Sequence, residues 1–161
     1  MDRVWIMGGT GSYGNAVIKR FIHSDANEIL FFSRNEQKQV DIRHECQVKY
    51  PEFAHIIKFY IGDVRNKSTL KTAMHEVDYI FYASALEHVP TCEFFTMEAL
   101  KYDVIGTDSV LDAAIDAGTR CVICLSTDKA AFPIITIGIN RALDEKAAVA
   151  KSHNSLKISI F

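Results

Sequence analysis

The sequence predicts a doubly wound parallel α/β sheet of six strands in the order 3-2-1-4-5-6, with helices on both faces. Three observations predict it. Six short apolar runs alternate with amphipathic stretches. The runs are continuously apolar rather than strictly alternating, as in strands covered on both faces. The first run leads directly into a glycine cluster and then a helical stripe. The chain's 161 residues are close to one domain of roughly 150, so residues 1–161 are read as a single unit.

The apolar runs are Val4–Met7, Ile29–Phe32, Ile56–Ile61, Tyr79–Ala83, Cys121–Leu125 and Leu156–Phe161. After the first, Ala16, Val17, Phe21 and Ile22 form a stripe at helical spacing. A second helix spans Asn35 to Tyr50 and stops before Pro51. Asn66 or Ser68 caps a short third helix carrying Leu70, Ala73 and Met74. The longest helix is expected from Glu93 to Ala117, with Met97, Leu100, Val104, Leu111 and Ile115 inward and Gly118 as terminator. The last, rich in alanine, runs from Arg141 to Lys151. Crossovers between parallel strands are right-handed, which fixes the winding.

Composition narrows the function. Hydrophobic residues make up 48% and charged residues 24%, an ordinary globular mixture rather than a disordered one. Eighteen Lys and Arg against 20 Asp and Glu leave a formal charge of −2, so no basic field is available for a nucleic acid. The apolar runs are strand-sized, and the MDRVWIMGG start lacks a signal-peptide layout, so no membrane span or export signal is expected. Four scattered cysteines suit a reducing, cytoplasmic compartment. Cys121 and Cys124 sit three apart on a strand and face opposite ways, which disfavours zinc or a disulfide. His23, His44, His55, His75 and His153 have no metal-ligand spacing, so no metal is expected.

The chemistry-bearing motif is Gly8-Gly9-Thr10-Gly11-Ser12-Tyr13-Gly14, placed between strand and helix. Glycines permit positive φ and close backbone approach, and a helix N-terminus adds partial positive charge, so this loop suits a pyrophosphate. Gly8, Thr10, Gly11, Ser12, Tyr13 and Gly14 are the candidate contacts. At the end of the second strand an acidic residue would select NAD through the ribose hydroxyls. Here Ser33 and Arg34 stand, with Lys38 following, and cations there favour the 2′-phosphate of NADP over NAD. The plainer alternative for Arg34 and Lys38 is solvated loop charge. Asp63 and Val64, ending strand three, lie where the adenine is read. Ala83, Ser84 and Ala85, ending strand four, are small enough to admit the coenzyme backbone.

The segments GGTGSYG, SRNEQKQ, GDVRN, ASALEHVPTCE, DVIGT and LSTDKAAFP occur in an order that resembles the extended short-chain dehydrogenase/reductases acting on nucleotide sugars. Within these the chain is similar to the UDP-N-acetylglucosamine 4,6-dehydratase, or CapD-like, polysaccharide biosynthesis proteins. The resemblance implies a Rossmann domain, NADP as coenzyme and a UDP-N-acetylglucosamine-type substrate. It also implies an internal redox cycle: oxidation at C4, loss of water across C5–C6, return of hydride to C6. Carried over by position, Thr127, Asp128 and Lys129 are the acid/base segment, with Asp128 protonating the departing hydroxyl and Lys129 taking the C5 proton. Ser126 lies by the nicotinamide, and His88, Val89 and Pro90 belong to the substrate side. The helices around 93–117 and 138–151 match those through which such proteins self-associate.

The pattern breaks at a Tyr-x-x-x-Lys pair. Ile137 takes the tyrosine position and Arg141 the lysine position. Isoleucine carries no proton, while arginine keeps a positive charge that can bind ribose but lacks lysine's geometry. Glu87 replaces a lysine and Asp103 an asparagine. The sequence also stops at Phe161, before the family's C-terminal substrate-binding segment. Two functions are therefore carried forward: an NADP-dependent nucleotide-sugar dehydratase impaired in this chain alone, and a non-catalytic NADP-binding relative that associates with a full-length homologue.

Overall fold

A computed structural model of the chain describes residues 2–8, 12–83, 86, 88–152 and 156–160; for residues 12–15 only the backbone is described. Six strands, β1 (Asp2–Met7), β2 (Ala26–Ser33), β3 (Ile57–Ile61), β4 (Tyr79–Tyr82), β5 (Cys121–Cys124) and β6 (Lys157–Ile160), form one sheet. All pair in parallel, in the order β3-β2-β1-β4-β5-β6 expected from the sequence. The register aligns Ile6 with Phe31 on one side and with Phe81 on the other.

Two helices, α1 (Ser12–Phe21) and α2 (Glu36–Lys49), cover one face. Val17, Ile18, Ile22, Ile42 and Cys46 pack there on Val4, Ile6, Ile29 and Phe31. On the other face lie α3 (Lys67–Ala73), α6 (Gly106–Asp116) and α7 (Thr136–Lys151), burying Leu70, Met74, Val110, Leu111 and Ala148 on Trp5, Met7, Phe32, Ile80 and Val122. Alternate residues of β1 and β2 thus face separate cores, and the strands read as unbroken apolar runs. Over β4 and β5 the first face is less covered: Tyr79, Phe81, Cys121 and Ile123 are only half-buried and line a trough of roughly 430 Å³.

Local signals place most helix ends. Asn35 and Asn66 cap α2 and α3, each side chain accepting the N–H three residues on. Gly118 follows α6 with φ 70°, as a terminator should. The single helix expected over Glu93–Ala117 is instead three pieces. These are α4 (Val89–Phe94), α5 (Thr96–Leu100) and α6, the last joined to α5 through one π-helical turn over Lys101–Ile105. Phe95 breaks the first junction with φ −114° and ψ 52°. Across the break at Phe95 and the π turn the inward face departs from a single helix: Ala99, Tyr102 and Asp103 are buried while Met97, expected inside, is 62% exposed. Helix α7 begins at Thr136, five residues before the expected start, because the Thr136 N–H is held by the Glu93 carboxylate at 2.6 Å. No helix among the described residues is long and apolar enough to cross a membrane.

Candidate functional site

The C-terminal ends of the strands carry the expected residues, and they fall into two groups. At the first, Gly8 closes β1 with φ 76°, a conformation that favours glycine, and its N–H donates to the Phe32 carbonyl at 3.3 Å. The backbone of Ser12, Tyr13 and Gly14 opens α1 immediately afterwards. Thr10 and Gly11 lie outside the described residues.

Beside this loop, the buried Gln39 amide donates to the Ser33 hydroxyl, the Ser33 carbonyl and the Tyr60 carbonyl at 3.0, 3.1 and 2.8 Å. One side chain thereby ties the ends of β2 and β3. Arg34 is half-exposed; its guanidinium lies 4.1 Å from the centroid of the Tyr102 ring and 3.7 Å from an Asp63 oxygen. The Asp63 carboxylate is held mainly by Arg65, at 2.7 and 3.0 Å, and this keeps it below the usual carboxylate range. Val64 is buried in the core, and Lys38 is exposed beside its own capping residue.

At the second group, Ala83 continues from β4, its N–H donating to the Met7 carbonyl at 3.0 Å. Ser84, Ala85 and Glu87 lie outside the described residues. His88 precedes α4, with Nδ1 2.6 Å from the Thr91 hydroxyl, and Pro90 occupies the first turn. Val89 packs on the small cluster of Cys92, Ala99 and Ile137. After β5, Ser126 donates to the Glu145 carboxylate. Thr127 caps the turn over Asp128–Ala130 and donates to Asp128 at 2.9 Å. Asp128 is 92% exposed, with the Lys129 ammonium 3.8 Å away. The Thr127 hydroxyl, then Lys129, holds the Asp128 carboxyl below its ordinary range. That arrangement favours an ionised carboxylate, whereas the expected role was proton donor.

Ile137 and Arg141 point into the protein. Ile137 is 5% exposed and fills the Cys92–Ala99 cluster. Arg141 is buried, with Nη1 3.5 Å from Asp144 Oδ2. Burial pushes Asp144 up to about 7 against the pull of Arg141, with Asp103 adding to the rise. Asp103, also buried and raised by burial, accepts from the Leu86 N–H at 3.0 Å and the Asn140 amide at 3.1 Å.

Gln39, Tyr102, Asp144 and Glu145 were not singled out in the sequence. Arg141 with Asp144 was legible as an i,i+3 pair on one helix. The Ser126–Glu145 and Arg34–Tyr102 contacts join distant segments and leave no local sign.

The described residues fit the adenosine end of a dinucleotide: a positive-φ glycine at the strand end, an exposed guanidinium, and a carboxylate beside it. Among the described residues the second end offers the exposed Asp128–Lys129 pair together with His88 and Ser126, while the side chains at 137 and 141 are committed to the interior.

The model of the polysaccharide biosynthesis protein family matches residues 4–160. A UDP-glucose 4-epimerase of Rickettsia felis is 52% identical over 151 residues, which are 91% of this chain and 42% of that protein. The same enzyme name attaches to a Rickettsia akari protein 50% identical over the same spans. Among solved structures, Pen from Bacillus thuringiensis superposes with a TM-score of 0.92 at 27% identity, over 99% of this chain and 48% of that one. DesIV, a dTDP-glucose 4,6-dehydratase from Streptomyces venezuelae solved with NAD, gives 0.82 at 19% identity over 98% of this chain and 55% of its own, a likeness of fold. The chain spans about two fifths of the length of the curated relatives it matches.

Proposed function

The chain belongs to the polysaccharide biosynthesis protein family, and on that premise we propose that it is an NADP-binding domain of the nucleotide-sugar epimerase and dehydratase lineage that does not carry out hydride transfer by itself. Arg34 is the observation that carries the coenzyme reading. It puts a half-exposed guanidinium, where NAD-selective sites have a carboxylate, at the end of β2. Gly8 and the start of α1 supply the backbone for the pyrophosphate.

NADP, when bound, supplies a hydride acceptor. This chain's residues bind and orient; the described ones give no proton carrier at position 137. A positioned base contributes roughly 10²–10⁴ in rate, and a buried isoleucine contributes none of it. Arg141, turned toward Asp144, is withheld from the ribose.

A second reading is favoured by the exposed Asp128–Lys129 pair. It is a working dehydratase on UDP-N-acetylglucosamine, or an epimerase on UDP-glucose as the Rickettsia relatives are named. Equilibrium titration with NADP⁺ and NAD⁺, then incubation with each UDP-sugar, separates the two. The expected result is saturable NADP⁺ binding with neither a 4-keto product nor an epimer. Turnover by the chain alone selects the second reading, and absence of binding to either coenzyme overturns both.

A further inference from the structure

We propose that Tyr102 is a positioning residue for coenzyme selection: its ring is the platform that fixes the Arg34 guanidinium where a ribose 2′-phosphate is recognised. The assignment rests on the NADP-binding reading above and deepens it.

A lone arginine at a strand end is a weak selector, because ordering its long side chain around a phosphate costs rotamer entropy. Here that ordering is already made. The guanidinium carbon of Arg34 lies 4.1 Å from the ring centroid of Tyr102, within the range of about 6 Å over which a ring face attracts a cation. Tyr102 is 8% exposed and belongs to the π turn on a separate element, so the platform does not move with the β2–α2 loop. A guanidinium resting on a ring keeps its in-plane N–H groups for a second acceptor, and a phosphate accepts two of them at once.

The surrounding charge agrees. Asp63, 3.7 Å from Arg34, already takes the Arg65 backbone N–H, Nε and Nη2 at 2.9, 3.0 and 2.7 Å. Glu98 lies 3.3 Å from Arg65 and 2.9 Å from Lys101. Arg34, Arg65 and Lys101 against Asp63 and Glu98 leave one positive charge in excess, and Arg34 is the cation with the loosest ion pair. Ser33 adds a directed donor. Its oxygen accepts from Gln39, and among the described residues no group takes its hydrogen, which can turn to an anion.

The test is calorimetric titration of the full chain and its variants with NADP⁺ and NAD⁺, read as the ratio of the two affinities. Tyr102→Leu should lower that ratio by roughly three- to thirty-fold, the span of a cation–π contact, with NAD⁺ affinity unchanged. Tyr102→Phe, which keeps the ring face, should hold the ratio within about twofold of the parent. A general folding defect weakens both coenzymes together and leaves the ratio alone; if Tyr102→Leu does not fold, Tyr102→Met serves the same arm. A parent chain that prefers NADP⁺ and a Tyr102→Leu or Tyr102→Met variant with the same preference overturn the platform. A parent chain with no preference overturns the coenzyme reading itself, a separate result.

Discussion

Arg141 and Asp144 face each other across 3.5 Å, three residues apart on α7, and both are buried. The pair lines a small cavity with Ser126 and Tyr82, so the Arg141 cation is spent on the protein's own carboxylate. Removing one partner strands the other without water. Arg141→Met should therefore destabilise the fold by about 2–4 kcal/mol, less than a permanently charged partner would lose because Asp144 can take up a proton. The double variant Arg141→Met with Asp144→Leu should recover most of that loss. Urea denaturation measures both; a single-variant loss under about 1 kcal/mol would show that the pair is not a buried ion pair.

The raised pKa of Asp144 gives stability a pH dependence of definite sign. Burial lifts the folded value to about 7, well above the unfolded carboxylate near 3.9. Between these two values the folded state binds more protons than the unfolded one. Stability from this group is fully present below the unfolded pKa and is lost as pH rises toward 7. The slope is at most on the order of 1 kcal/mol per pH unit. Asp103, also raised by burial, adds in the same direction. Asp144→Asn should flatten the fall between pH 5 and about 7, and denaturation curves across that range test it. An unchanged slope in the variant would move the effect to another group.

The sheet order was legible because each strand is an apolar run punctuated by turn residues, and parallel winding leaves few topologies. Asn66 was legible as one of two candidate caps, beside Ser68, and Asn35 as a helix start; the structure makes both of them caps. The π turn was not. Periodicity counts on 3.6 residues per turn, and neither the break at Phe95 nor one widened turn shows in it; hence Met97 was expected inward and Tyr102 was not. The early start of α7 depends on Glu93, 43 residues away, and no window along the chain contains both. At the site, the identities at 137 and 141 were visible in the sequence. Their inward direction is a tertiary fact.

Gly138 shows how closely the Thr127–Lys129 turn is packed on α7. A Cβ there would stand 2.4 Å from the Lys129 carbonyl oxygen and 3.2 Å from Pro133 Cα. Both obstacles are backbone, so relief requires moving the turn or the helix. Gly138→Ala should cost about 1–3 kcal/mol despite alanine's better helix propensity. A thermal melt at or above that of the parent would show that the turn yields easily.

Gln39 makes the opposite kind of prediction, in which the nearest isostere is the worst choice. Its amide nitrogen donates to two backbone carbonyls and the Ser33 hydroxyl, with the side chain buried. Gln39→Leu removes those bonds, but the Ser33 carbonyl still accepts from Gly62 at 3.1 Å, so a loss of about 1–3 kcal/mol follows. Gln39→Glu keeps the shape and turns donors into acceptors, setting a buried carboxylate against two carbonyl oxygens. Folding then demands either protonation of the new carboxyl or an unpaired buried charge. Glu should therefore be more destabilising than Leu at pH 8, with the gap narrowing as pH falls toward 5. Parallel urea titrations at the two pH values decide it: a glutamate variant as stable as the leucine variant at pH 8 would mean that Gln39 does not act as a donor between β2 and β3.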